Sequence, residues 1–282
     1  MPISDPRLQP ATSLENLEID LLLEAVYRHY GYDFREYAHA SLKRRVHGMM
    51  RNESVQTISG LQNLILHDTG AFSRFLLALS VNVTSVYRDP EFFLAFRRLV
   101  VPTLRTYPFI RIWHAGCSTG EEVYSMAILL QEEGLYEKCR IYATDMDEAV
   151  LKQANDGIFP LENAAQYASN YKRSGGTQNL SDYYTGGYGN GIFRASLRSN
   201  IVFSQHNLAM DRSFNEFNVI LCRNVMIYFT KALQDRVHAL FYESLANFGI
   251  LGLGSKETLQ FTPYEKEFEQ LETGSRLYKR LR

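Results

Sequence analysis

Through the first eighty residues the apolar positions recur at helical spacing. Leu14, Leu17, Leu21, Leu22 and Val26 read as one helical face, "GYD" at 31–33 interrupts it, and further helical patterns cover 36–51, 57–67 and 70–80. No part of this stretch alternates as a strand would. Residues 1–13 are rich in Pro, Ser and Thr without an apolar period, so they read as a flexible lead ending in a helix cap at Thr12 or Ser13. "RDPEFF" at 88–93 predicts another helix start, since Asp89 can cap, Pro90 needs no donor and Glu91 suits the positive helix end.

From Arg111 the pattern changes to strand, turn, helix, strand. "RIWHA" (111–115), "CRIYAT" (139–144), "IVFSQ" (201–205), "FNVILC" (217–222) and "GILGLG" (249–254) read as strands, with helices near Glu121, over "DEAVLKQAN" and over 230–248. Such alternation predicts an α/β fold with a doubly wound, mostly parallel, Rossmann-like sheet. "FEQLETGSRLYKRLR" closes it as two more strands. A stretch at about 160–198, full of Tyr, Gly, Ser and Asn, interrupts the alternation, and the Asn-Gly of "YGNGIF" predicts a hairpin, hence a small antiparallel β insertion. The expected organisation is a lead (1–13), a helical domain (14–85), a linker helix (86–105) and the sheet domain (106–282).

Bulk composition narrows the function. The 282 residues are 45% hydrophobic, enough for one large core and a second small one. With 30 Lys plus Arg against 31 Asp plus Glu, no overall field favours nucleic acid or an anionic membrane. No apolar run approaches the ~18 residues of a membrane helix. The three cysteines, Cys117, Cys139 and Cys222, form no C-x-x-C pair, which suits a reducing compartment and predicts a cytoplasmic protein. No His/Cys cluster has metal-ligand spacing, so no metal is expected. Neighbouring first and fourth strands would bring Cys117 and Cys222 close together as buried fillers.

The most informative stretch is "WHAGCSTGEEVYS" at 113–125. Gly116 to Gly120 spells G-x-S-x-G, the spacing of a hydrolase nucleophile elbow, and Ser118, Asp145 and His206 even occur in triad order. A nucleophile elbow, however, rises from the middle of a sheet with strands before it. Here everything upstream is helical, so the turn follows the first strand, where a doubly wound sheet holds a cofactor. Asp145, at the end of the second strand, can accept ribose hydroxyls. Glu121 and Glu122 would repel a pyrophosphate and attract the ammonium and sulfonium of S-adenosylmethionine, although either can merely favour the helix N-terminus.

Taken together, "YGYDF" (30–34), "LKRRV" (42–46), "VNVTSVYRDP" (81–90), "AGCSTGEEVYS" (115–125), "ATDMD" (143–147), "NGIFRASLRSNIVFSQHNL" (190–208) and "VILCRNVMIYF" (219–229) resemble the CheR-type methyltransferases. These transfer a methyl group from S-adenosylmethionine to glutamate side chains of bacterial chemoreceptors, releasing S-adenosylhomocysteine. The resemblance runs from about residue 17 to the end. It implies that Asn82, Thr84, Arg88, Gly116, Glu121 or Glu122, Asp145, Asn207, Leu208, Arg223 and Asn224 contact the cofactor. It places Arg88 and Tyr228 at the reaction. Arg88 can fork to a carboxylate and hold it in line with the methyl group. The family usually has two phenylalanines before this arginine; Val86 and Tyr87 stand here and leave the shape of the methyl-transfer pocket open.

A carboxylate is already an anion at neutral pH, so direct in-line attack needs orientation and water exclusion but no base. Lys43, Arg44, Arg45 and Arg51 would offer an acidic receptor helix a basic face. The β insertion, longer here by "GGTQNLSDYYTGGY" (175–188), is where the family can add a receptor C-terminal peptide as a strand. The competing functions are a serine hydrolase using Ser118 and a cofactor-binding signalling module without transfer activity.

Overall fold

The structure, a computed structural model, describes residues 13–80 and 84–282; the chain divides into two compact units, residues 1–81 and 82–282.

In the first unit, Ser13 accepts a hydrogen bond from the Asn16 N–H and opens α1 (Leu14–Tyr30), and Gly31 at φ +80° closes it. Three more helices follow: α2 (His39–Asn52), α3 (Ile58–His67) and α4 (Thr69–Leu79). Thr57 and Asp68 cap α3 and α4 with their side-chain oxygens. The buried face of α1 is Ile19, Leu22, Leu23 and Val26, which joins Leu42 and Val46 of α2, Leu61 and Ile65 of α3, and Phe75 and Leu79 of α4 in the core. Leu14, Leu17 and Leu21, expected on that face, are exposed. At about 100° per residue they lie on the far side of α1 from Ile19 and Leu23, so two stripes had been merged into one.

The second unit begins with α5 (Pro90–Leu99) and α6 (Val101–Leu104), whose Phe92, Phe93, Phe96 and Val101 are buried in its core. Then come β1 (Ile110–Ala115), α7 (Glu121–Glu132), β2 (Cys139–Asp145) and α8 (Glu148–Asp156). The insertion holds β3 (Ile158–Pro160), α9 (Ala164–Arg173), β4 (Tyr184–Gly187), β5 (Asn190–Phe193) and α10 (Ala195–Arg198). The chain returns to the main sheet with β6 (Ile201–Gln205), β7 (Phe217–Cys222), α11 (Lys231–Ser244), β8 (Leu245–Leu253), β9 (Phe268–Gln270) and β10 (Leu277–Arg280).

The main sheet runs β6-β2-β1-β7-β8-β10-β9, with β6, β2, β1, β7 and β8 parallel and β10 antiparallel to both of its neighbours. β1 is almost wholly buried, as a strand covered on both faces must be. From β1 the chain goes to β2 and β6 on one side, then crosses to β7 on the other. The order therefore reverses between β1 and β7, and a crevice opens at their carboxyl ends. α11 stops at Ser244, short of the expected 248, because the β8 ladder takes over at Leu245.

In the smaller antiparallel sheet, β3-β5-β4, the hairpin turn is Tyr188-Gly189, both at positive φ, between the paired Gly187 and Asn190. The Asn-Gly predicted for that turn lies inside β5. There a Cβ on Gly191 would stand 2.6 Å from the Phe159 ring, so that glycine serves packing.

The stretch 175–188 is tied down from beneath. Arg97 on α5 bonds the Ser174 carbonyl at 3.0 Å and Glu133 at 2.7 Å, and it pairs with Glu132 on α7. Glu132 also accepts from the Tyr171 and Tyr183 hydroxyls, and the Gln178 N–H reaches the Tyr171 oxygen at 2.9 Å. The Arg97 and Glu132 side chains are 9% and 6% exposed. Removing one partner strands a buried charge. Arg97→Ala is therefore expected to lower the unfolding free energy by about 3–5 kcal/mol in urea titration and to speed hydrogen exchange across 174–187; a loss below about 1 kcal/mol would place the pair among ordinary surface contacts.

Candidate functional site

At the end of β1 the chain turns by using left-handed residues: Gly116, Ser118 and Gly120 have φ of +79°, +50° and +91°. The Gly116 and Cys117 N–H groups both donate to the Thr144 carbonyl of β2, at 2.8 and 2.9 Å, which folds the turn back across the strand end. A Cβ on Gly116 would stand 2.6 Å from a Val225 methyl, and one on Gly120 would stand 2.9 Å from Ala154 of α8. Both glycines thus answer close approach by neighbouring segments as well as positive φ.

Asp145 ends β2 and is buried. One carboxylate oxygen accepts from the Ser118 N–H at 2.8 Å and the other from the Asp147 N–H at 3.2 Å. Burial raises its pKa, and these amides offset only part of that rise. Ser118 has no base. Its Oγ is buried without a partner, Asp145 holds its backbone, and the His206 ring bonds the Arg212 carbonyl at 3.2 Å. The triad arrangement of a hydrolase is therefore absent among the described residues.

The two glutamates at the start of α7 have separate environments. Glu122 is filled: Arg223 Nη1 meets one oxygen at 2.8 Å and His114 Nδ1 the other at 3.1 Å. Burial works to raise its pKa, but Arg223 and His114 outweigh it and hold the carboxyl at about 2. Glu121 is 3% exposed, and its partner among the described residues is the Thr119 hydroxyl, at 2.6 Å. Burial raises the Glu121 pKa above the ordinary 4.5, partly opposed by Thr119. A buried carboxylate with no paired cation favours a cationic ligand.

Arg223, just after β7, does more than meet Glu122. Its other nitrogen reaches Asp89 at 2.8 Å and the Arg88 carbonyl at 3.1 Å, and its guanidinium lies 4.2 Å from the centre of the Phe92 ring. That side chain is 1% exposed, with both terminal nitrogens bonded and Nε buried without a partner among the described residues. Next to it Asn224 sits at φ +61°, with Oδ1 buried and without a partner among the described residues. Arg88, Thr84 and Tyr228 are partly buried, as is Leu208. Asn207 uses its side-chain oxygen to accept from the Ala209 N–H at 2.9 Å, shaping the turn after β6. Asn82 lies outside the described residues.

Val86 and Tyr87 face inward. Both are fully buried, the Tyr87 N–H donates to Ser125 at 2.9 Å, and its ring meets Phe93 and Tyr171 edge-on. Cys117 and Cys222 are buried free thiols whose pKa values burial pushes well up, consistent with inert packing.

On α2 the four basic residues divide. Lys43 pairs with Glu15, and Arg45 donates to the Leu79 carbonyl at the end of α4, whereas Arg44 and Arg51 are exposed two turns apart on one side of the helix.

One participant was not foreseen. Glu257, three residues beyond Gly254, accepts four backbone N–H groups: Asn224 at 2.9 Å, Val225 at 3.0 Å, Met226 at 2.9 Å and Gly254 at 2.7 Å. In sequence it is a lone glutamate in "GSKET", with no spacing that marks it.

Residues 82–275 match the family described as "CheR methyltransferase, SAM binding domain", and residues 17–80 match "CheR methyltransferase, all-alpha domain". The Cher3 protein of Pseudomonas putida is 49% identical over 265 residues, covering 94% of this chain and 97% of that protein. The chemotaxis protein methyltransferase of Salmonella typhimurium is 30% identical over 243 residues, 83% of this chain and 79% of its own length. That of Listeria monocytogenes is 27% identical over 250 residues, 87% and 92%. The site suits S-adenosylmethionine: the unpaired Glu121 carboxylate and the buried unpartnered Asn224 Oδ1 and Ser118 Oγ can meet an ammonium and hydroxyls.

The clash at Gly116 is specific enough to test. Gly116→Ala is expected to cost about 1–3 kcal/mol of stability, with part of the loss recovered by adding Val225→Ala, as read by urea titration; equal losses in both backgrounds would mean that φ alone demands the glycine.

Proposed function

We propose that this chain, which belongs to the CheR methyltransferase family and is an S-adenosylmethionine-dependent methyltransferase, forms methyl esters on glutamate side chains of chemoreceptor cytoplasmic helices. The observation that carries the reading is the division of labour at the start of α7: Glu122 is consumed by Arg223 and His114, whereas Glu121 is buried, without a cation, in the crevice where the strand order reverses.

S-adenosylmethionine, when bound, would supply a methyl group activated by its sulfonium, with S-adenosylhomocysteine as the leaving group that keeps the electrons of the carbon–sulfur bond. Glu121 would hold the ammonium. Asp145, whose two oxygens already fix the turn through Ser118 and Asp147, keeps further lone pairs for the ribose hydroxyls. Asn224 offers its unsatisfied amide oxygen. Asn82, Thr84, Gly116, Asn207 and Leu208 complete the cofactor's surroundings by their family positions, while Arg223 contributes through its backbone because its side chain is engaged.

Arg88 orients the attacking carboxylate, and Tyr228 lines the site. No side chain needs to remove a proton, because the acceptor is already ionised. Orientation and exclusion of water from the nucleophile do the work.

Receptor docking has two surfaces. Arg44 and Arg51 face an acidic receptor helix, since Lys43 and Arg45 are spent within the first unit. β4 pairs with β5 on one side, leaving its other edge to accept a receptor tail as an added strand. Such receptor segments place the reaction in the cytoplasm, and no helix among the described residues is long and apolar enough to cross a membrane.

The purified protein, given methyl-labelled S-adenosylmethionine and a receptor cytoplasmic fragment, is expected to yield protein-bound label that base releases as volatile methanol. Cofactor binding without a base-labile product would leave only a binding module. Glu121→Gln is expected to weaken S-adenosylhomocysteine binding by about 10–100-fold in calorimetry, the loss of one buried charge pairing. Glu122→Gln should instead lower stability more than affinity.

The pH dependence has a definite sign. Because the Glu121 pKa is raised, its charge disappears as pH falls, so affinity should drop with a midpoint above 4.5 and this acid flank should vanish in Glu121→Gln. A flank that persists in the variant would assign it elsewhere.

A further inference from the structure

Glu257 lies outside the motifs quoted above, yet it joins the exits of two adjacent strands. β7 and β8 pair in parallel through Cys222 and Leu253, the last residues of each strand. Beyond them regular pairing ends. Asn224, Val225 and Met226 after β7 and Gly254 after β8 then present four N–H groups to one buried carboxylate, 6% exposed. Two oxygens with two lone pairs each are the least that satisfies four donors. A neutral amide could not do so, since its nitrogen has no lone pair to accept with.

The geometry at Asn224 is the reason this matters. Asn224 has a left-handed φ of +61°, which asparagine tolerates better than other non-glycine residues but which is a minor conformation that its surroundings must select. Here its N–H is held by Glu257 Oε2 at 2.9 Å, and the N–H groups of the next two residues are held by Oε1. The same segment carries Val225, whose methyl stands within 2.6 Å of where a Gly116 Cβ would be. The contact is also closed from the other side: a Cβ on Gly254 would lie 2.7 Å from both the Asn224 nitrogen and Glu257 Oε2.

We infer that Glu257 is a positioning residue for the cofactor, fixing the left-handed Asn224 backbone so that the buried Asn224 Oδ1, unpartnered among the described residues, is presented to the ligand. This rests on the reading that Asn224 contacts S-adenosylmethionine. Glu257 itself touches neither cofactor nor acceptor. It acts through the backbone.

The test is a double-mutant cycle on the full chain, read as S-adenosylhomocysteine affinity by calorimetry, with melting temperature and the split between KM and kcat measured alongside. Glu257→Gln and Asn224→Ala are each expected to raise the dissociation constant about tenfold or more, and the double variant should be no more than about threefold weaker than either single. KM for S-adenosylmethionine should rise more than kcat falls. If Glu257→Gln lowers the melting temperature but leaves affinity unchanged, or if its effect is the same with and without Asn224, Glu257 is only structural and the inference fails. If Asn224→Ala binds as the unaltered chain does, the role given to Asn224 in the proposed function fails and the inference with it. Should Glu257→Gln not fold, Gly254→Ala displaces the same contact and is expected to show the same non-additivity with Asn224→Ala; additive losses there would overturn the proposal.

Discussion

A guanidinium buried to 1% exposure must be paired almost completely, and the pairing of Arg223 ties the site together. Its partners come from two places: Glu122 at the start of α7, and the Arg88 carbonyl with the neighbouring Asp89 carboxylate just before α5. Arg223 itself leaves β7 at the point where the strand order reverses. One side chain thus fixes the spacing between the glycine turn, the residue proposed to orient the acceptor, and the segment ending in Tyr228. Phe92 covers the guanidinium face, which keeps water from competing for those bonds.

That pairing also explains why two adjacent acids are needed. A single carboxylate cannot both neutralise Arg223 and remain free for a ligand cation. Glu122, held at about 2 by Arg223 and His114, takes the structural task. Glu121, one position earlier on α7, keeps its charge unpaired at the cost of a raised pKa. Glu257 repeats the logic with amides in place of a cation, gathering four N–H groups at the ends of β7 and β8. The crevice is therefore built by carboxylates that each meet a distinct set of donors.

Much of this was legible in the chain. The turn after β1, Asp145 at the end of β2 and the crossing from β6 to β7 follow from strand periodicity and glycine placement, because a doubly wound sheet leaves few alternatives. What stayed hidden depends on contacts between distant segments. Periodicity could not divide Glu121 from Glu122, since the difference lies in Arg223, about a hundred residues away. Nor could it show that Lys43 and Arg45 are spent on Glu15 and Leu79, or that Arg97 and Glu132 bind the β insertion from below. The exposed Leu14, Leu17 and Leu21 and the Tyr188-Gly189 turn depart from the expected pattern for a local reason: in each case a neighbouring pattern fits the same rule.

The separate tasks of Glu121 and Glu122 can be seen directly in a crystal structure of the protein with S-adenosylhomocysteine. The ligand ammonium is expected within hydrogen-bonding distance of the Glu121 carboxylate, with Glu122 still joined to Arg223 and His114. An ammonium bound to Glu122, with Arg223 turned away from it, would contradict the arrangement on which the proposed chemistry rests.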